Sequence, residues 1–62
     1  MKLWISRDKD NTLLLFECKP ICNTDGEWYS AGGYTFGLPD SYFPEVTFEN
    51  SPQEVELKLV EK

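Results

Sequence analysis

Two thiols, Cys18 and Cys22, and a scatter of carboxylates carry most of the chemistry available to this chain. A Cys-x-x-x-Cys pair can bind metal or cycle between thiol and disulfide. A closed zinc site, however, asks for four Cys or His ligands, and the chain has two cysteines and no histidine. A thioredoxin-type redox motif asks for Cys-x-x-Cys at a helix start, whereas three residues with Pro20 among them separate these two thiols. Both are therefore expected as free thiols with no metal and no cofactor, and a thiol-dependent metal or redox protein is kept as an alternative.

The carboxylates Asp8, Asp10 and Asp25 sit beside Lys9, Asn11 and Gly26. Short polar side chains at such places bond to nearby backbone and shape turns. No Gly and distal Glu follow at the positions a calcium loop requires. General acid–base work by carboxylates needs a cleft that moves their pKa values apart. Without histidine, and with no hydroxyl or thiol beside an obvious base, no nucleophilic set is assembled either. The expectation is a protein with no catalytic residues.

A third group is aromatic: Trp4, Trp28, Tyr29, Tyr34 and Phe36 have the chemistry of a stacking platform for a peptide, a glycan or single-stranded nucleic acid. Nucleic acid would require Lys or Arg between the rings. Residues 20–57 hold no base and seven acids. That balance argues against nucleic acid and favours a protein partner. Acids are concentrated toward the C-terminus, where residues 40–62 hold six of the eleven acids and two of the six bases. Glu54 and Glu56 are the residues of that acidic stretch expected to face a partner, together with Trp4, Trp28, Tyr29 and Tyr34.

These groups must be positioned by a chain of 62 residues, read as one domain over residues 1–62. A domain of that size buries only about 60% of the surface its unfolded chain exposes. Nine aromatic residues offset this, each removing roughly 150–250 Å² from water when buried. The longest aliphatic or aromatic run, Leu13–Phe16, is far too short to span a bilayer. Ser6-Arg7-Asp8 interrupts the N-terminus before the apolar stretch of a signal peptide forms, so a cytoplasmic location with reduced thiols is expected.

Periodicity points to strands. In Lys2–Arg7, Leu3 and Ile5 share one face and Trp4 takes the other; Thr12–Cys18 is apolar on both faces; Asp8–Asn11 between them is turn chemistry. A hairpin with a central second strand follows, with Asn11 at the left-handed position of its loop. Lys19–Gly26 reads as a connection because Pro20 cannot donate to a ladder and Asp25-Gly26 is a turn signal. Glu27–Ser30 and Tyr34–Gly37 read as a second hairpin around Ala31-Gly32-Gly33, and Leu38–Pro44 has room for one helical turn at residues 39–43.

In the last third, Val46 and Phe48 alternate with polar residues before the Asn50-Ser51-Pro52 turn, and Val55, Leu57 and Leu59 alternate after it. This pattern predicts a pair of half-buried strands on which the rest packs. Ser51-Pro52-Gln53-Glu54 also matches a helix capping box, but the alternation favours strand. The fold class predicted is all-β: one antiparallel sheet or partly open barrel of five or six short strands.

The segments Leu3–Asp10, Leu13–Phe16, Lys19-Pro20 and Phe43–Pro52 together resemble a group of short bacterial and phage-type proteins of uncharacterised function. These open on W-I-x-R-D-K-D and close on F-P-E-V-T-F-E-N-S-P. The resemblance implies an accessory role in a phage or mobile element and no particular activity. Three function classes follow. A non-catalytic protein-interaction module comes first, then an acidic decoy that occupies a nucleic-acid-binding protein, then the thiol-dependent protein described above.

Overall fold

The structure, a computed structural model, describes residues 2–56. It is all-strand: β1 (Lys2–Arg7), β2 (Leu13–Phe16), β3 (Ile21–Cys22), β4 (Trp28–Tyr29), β5 (Thr35–Leu38) and β6 (Gln53–Glu56). Four of them make an antiparallel sheet in the order β5-β2-β1-β6, while β3 and β4 form a separate two-stranded ribbon. The larger sheet has two edges and does not close into a barrel.

The first hairpin forms as the alternation dictates. Trp4 pairs with Phe16 and Arg7 with Leu13. Asp8 N–H donates to Thr12 O at 2.8 Å, and Asn11 takes φ 81° while its N–H reaches Asp8 O at 2.9 Å. The period of two then sorts side chains between the faces. Leu3, Ile5, Arg7, Leu13, Leu15, Phe36, Leu38, Gln53 and Val55 share one face; Trp4, Ser6, Leu14, Phe16, Thr35, Gly37 and Glu54 share the other. Ile5, Leu13 and Val46 form the buried core of the first face, with Leu15, Leu38 and Val55 packed against it.

The second hairpin expected around Ala31-Gly32-Gly33 does not form. The turn chemistry that closes a hairpin lies one connection earlier, at Asn23–Gly26, so a strand appears at Ile21–Cys22 where a plain connection was expected. Asn23 Oδ1 accepts from Asp25 and Glu27 N–H at 2.9 and 3.0 Å, Asn23 N–H donates to Glu27 O at 2.9 Å, and Gly26 supplies φ 81°. Trp28 and Tyr29 therefore pair with Cys22 and Ile21. Released from Trp28 and Tyr29, Tyr34–Leu38 crosses to β2, where Glu17 N–H donates to Tyr34 O at 3.0 Å.

The C-terminal strand pair is also corrected. Gln53–Glu56 is a strand, as the alternation favoured over the capping box, but its partner is β1, with Leu3 opposite Val55 and Trp4 opposite Glu54. Val46 and Phe48 lie in a loop. The reason is that the carbonyls of this segment are already engaged, as described below. Val46 is buried as expected, while Phe48 and Val55 are half-buried. Leu57 and Leu59 lie outside the described residues. Residues 39–43 hold a single turn, Tyr42 N–H to Pro39 O at 3.0 Å, and no helix.

Candidate functional site

Arg7 organises the loop over the sheet. It is 6% exposed, and each of its five guanidinium N–H donors ends on a main-chain carbonyl. Nε donates to Val46 O at 2.6 Å; Nη1 to Asn11 O and Asp40 O, both at 3.0 Å; Nη2 to Tyr42 O at 2.9 Å and Phe43 O at 3.2 Å. Hydrogen bonds from an ionised donor are the strong ones, and a planar fork fits converging carbonyls in a way an ammonium cannot. These bonds explain why residues 40–46 make no ladder and why Phe43 tolerates φ 47°. Below them, Thr47 N–H donates to Asn50 Oδ1 at 2.8 Å and Asn50 Nδ2 to Glu45 O at 2.8 Å, and Arg7 N–H donates to Ser51 Oγ at 2.9 Å. The loop is thereby held as a roof over one end of the apolar sheet face.

Between roof and sheet lies a groove of about 560 Å³. Leu3, Ile5, Leu15, Leu38 and Val55 line it from the sheet, and Tyr42, Phe43 and Val46 from the roof, with Glu45, Gln53 and Glu56 among its lining residues. Tyr42 and Phe43 stay 53% and 48% exposed, with their rings edge to face at 6.2 Å between centroids. A concave site with apolar walls and few polar groups is the usual form of a binding site.

A second depression, about 350 Å³, is lined by Arg7 together with Asp8, Asp40 and Glu49. Its cation has no donor to spare, so anion binding through Arg7 is closed. Asp8 is itself 8% exposed, and its Oδ1 accepts from Trp28 N–H at 2.9 Å, tying the two-stranded ribbon to the first hairpin. Burial pushes its carboxyl above the usual value, aided by the charges of Asp10 and Glu27, with the Trp28 bond opposing. Asp10 moves the other way, held down by hydrogen bonds from Thr12.

The residues singled out from sequence fall on several elements. Trp4 is half-buried in β1 on the face opposite the groove, with Lys19 Nζ 5.5 Å from its ring centroid and Glu54 as its cross-strand partner. Trp28 is half-buried in β4 with its ring 6.4 Å from Phe48, and its indole nitrogen is buried with no protein acceptor in reach among the described residues. Tyr29 is exposed in the ribbon; Tyr34 is exposed beside Phe36, ring centroids 6.3 Å apart. No ring contact joins Trp4, Trp28 and Tyr34 to one another among the described residues. Glu54 and Glu56 are exposed on β6, and of the six sequence-selected residues Glu56 alone reaches the groove. Cys18 and Cys22 are free thiols, exposed and half-buried.

Tyr42 and Phe43 were missed, because the signal for them is Arg7, an unremarkable residue in sequence whose partners in the roof loop lie 33 to 39 positions away. Among the described residues no helix is long and apolar enough to cross a membrane, and no cluster of three potential metal ligands is present. No protein-family model matches the chain, and no curated protein or solved structure matches it.

Proposed function

We propose that this chain is a non-catalytic protein-interaction module, and that its apolar groove takes a partner segment with apolar anchors flanked by basic residues. One observation carries the reading: an apolar sheet face is held partly open by a loop pinned through Arg7, with acids at the opening. Tyr42 and Phe43 present aromatic area of the kind that dominates protein interfaces. Glu45 and Glu56 are among the residues that line the groove; Glu56 has Lys2 as its cross-strand partner, so Glu45 is the acid there with no base opposite it in a strand pair. Rim charges of one sign select partners of the other and speed their encounter. The resemblance to short phage-type proteins fits an accessory role of this kind.

Selecting a random peptide library on the immobilised protein, then titrating the winners, tests it. Peptides with apolar anchors and Lys or Arg flanks are expected. Their binding should be lost on Tyr42→Ser and weakened, mainly in association rate, on Glu45→Lys with Glu56→Lys. It should survive raised salt, because apolar contacts are not screened as exposed charges are beyond about 8 Å at physiological ionic strength. Binding that vanishes with salt, ignores Tyr42→Ser and fails on Glu54→Gln with Glu56→Gln would replace this reading with the acidic decoy.

A further inference from the structure

We infer that β5 is a pairing edge for a second copy of this chain, joining two four-stranded sheets into one of eight strands. The inference is independent of the groove and rests on a different surface.

Edge strands expose unpaired backbone groups, and soluble proteins blunt them with charge. The two edges of the larger sheet differ in this respect. β6 carries Glu54 and Glu56, which oppose self-pairing. β5 carries Thr35, Phe36, Gly37 and Leu38, and no charged residue occurs anywhere between Glu27 and Asp40, the longest uncharged run in the chain. Among the described residues no strand covers its outer side.

The ladder decides which groups are free. Glu17 N–H donating to Tyr34 O makes that pair a hydrogen-bonded one. Alternation then turns the main-chain groups of Phe36 and Leu38 toward β2 and those of Thr35 and Gly37 outward. Two outward residues flanking Phe36 are self-complementary about a two-fold axis. Thr35 of one copy exchanges both hydrogen bonds with Gly37 of the second copy, and Gly37 with Thr35. Phe36 then faces Phe36 of the second copy as a close, non-hydrogen-bonded pair on the apolar face. Tyr34 and Phe36, 70% and 54% exposed in the single chain, are covered by this arrangement.

Gly37 supplies an independent observation. Nothing in the single chain calls for glycine there, since its φ is not left-handed and a Cβ would meet no atom within 4 Å. Glycine inside a strand weakens it and often marks the close approach of another backbone. A second copy is favoured over a basic peptide because this edge offers a cation no counter-charge. As the longest uncharged run, this stretch also gives two chains of net charge −5 a place to meet without acid against acid.

Sedimentation equilibrium over a concentration series, with amide hydrogen exchange, tests the pairing. The apparent mass should rise from 7.2 kDa toward twice that value, and the Thr35 and Gly37 amides should gain protection as it does. Phe36→Lys changes an exposed side chain, and Thr35→Pro removes an N–H that the β2 ladder does not use. Both should keep the far-ultraviolet dichroism and abolish the dimer. If Thr35→Pro misfolds, Phe36→Lys decides. A wild type still at the single-chain mass at roughly 1 mM, where association is worth only about 4 kcal/mol, overturns the inference. So does a dimer that persists in a folded variant, or protection of Thr35 and Gly37 that is independent of concentration.

Discussion

Arg7 and Val46 stand 39 positions apart, and the 2.6 Å bond from Arg7 Nε to Val46 O seats the roof loop on the sheet. Removing the side chain with Arg7→Ala leaves five carbonyl contacts without their donor. The expected loss is roughly 3–5 kcal/mol, at the upper end for a single substitution. Arg7→Lys keeps the charge but offers a compact ammonium in place of a fork, so an intermediate loss is expected. Urea midpoints of the three proteins check the order.

Asp8 couples stability to pH. Its folded carboxyl is raised above 3.8, first by burial, so the folded state binds more protons than the unfolded one just above that value. Its contribution is therefore greatest below 3.8 and declines as pH rises through the folded value. Asp10 acts in the opposite sense, because its lowered carboxyl contributes stability above 3.8 that is lost on acidification. Asp8→Asn retains an oxygen for Trp28 N–H, so it should be neutral or stabilising at pH 7, and the advantage should shrink toward pH 4. Asp8→Ala strands that N–H at a cost of about 1–3 kcal/mol. Denaturation midpoints measured from pH 4 to 7 follow all three.

Two left-handed positions should respond in opposite directions to substitution. At Gly26 (φ 81°) an added Cβ would lie 2.8 Å from Lys9 Cβ, so Gly26→Ala combines backbone strain with a clash and is expected to cost about 1–3 kcal/mol. Asn11 occupies the same backbone region with an exposed side chain, and Asn11→Gly should be neutral or slightly stabilising. Thermal melts of the pair separate the two effects.

Phe16 and Leu13, 1% and 0% exposed, are the most fully enclosed large side chains described. Phe16→Ala is expected to cost about 3–5 kcal/mol and Leu13→Ala about 2–5 kcal/mol. Tyr34→Ala, at a side chain 70% exposed, should leave the midpoint of dilute protein within about 0.5 kcal/mol. A Tyr34→Ala loss as large as that of Phe16→Ala would contradict the burial described.

Local chemistry made much of this protein legible in its sequence. The β1–β2 hairpin followed from alternation around Asp8–Asn11, the left-handed Asn11 from its tolerance of positive φ, the strand at Gln53–Glu56 from Val55 standing between glutamates, and the all-β class from the repeated short period. Each depends on residues within a few positions of one another. Pairing partners did not follow, because a period of two states which side chains share a face and not which strand lies alongside. β4 chose β3 because the Asn23–Gly26 turn closes more tightly than the Gly32-Gly33 connection, and β6 chose β1 because the intervening segment was already occupied. That occupation was decided in three dimensions. A single guanidinium gathers the carbonyls of Asn11, Asp40, Tyr42, Phe43 and Val46, and a backbone carbonyl is chemically the same at every residue, so nothing in the order of the amino acids marks which ones an arginine will find.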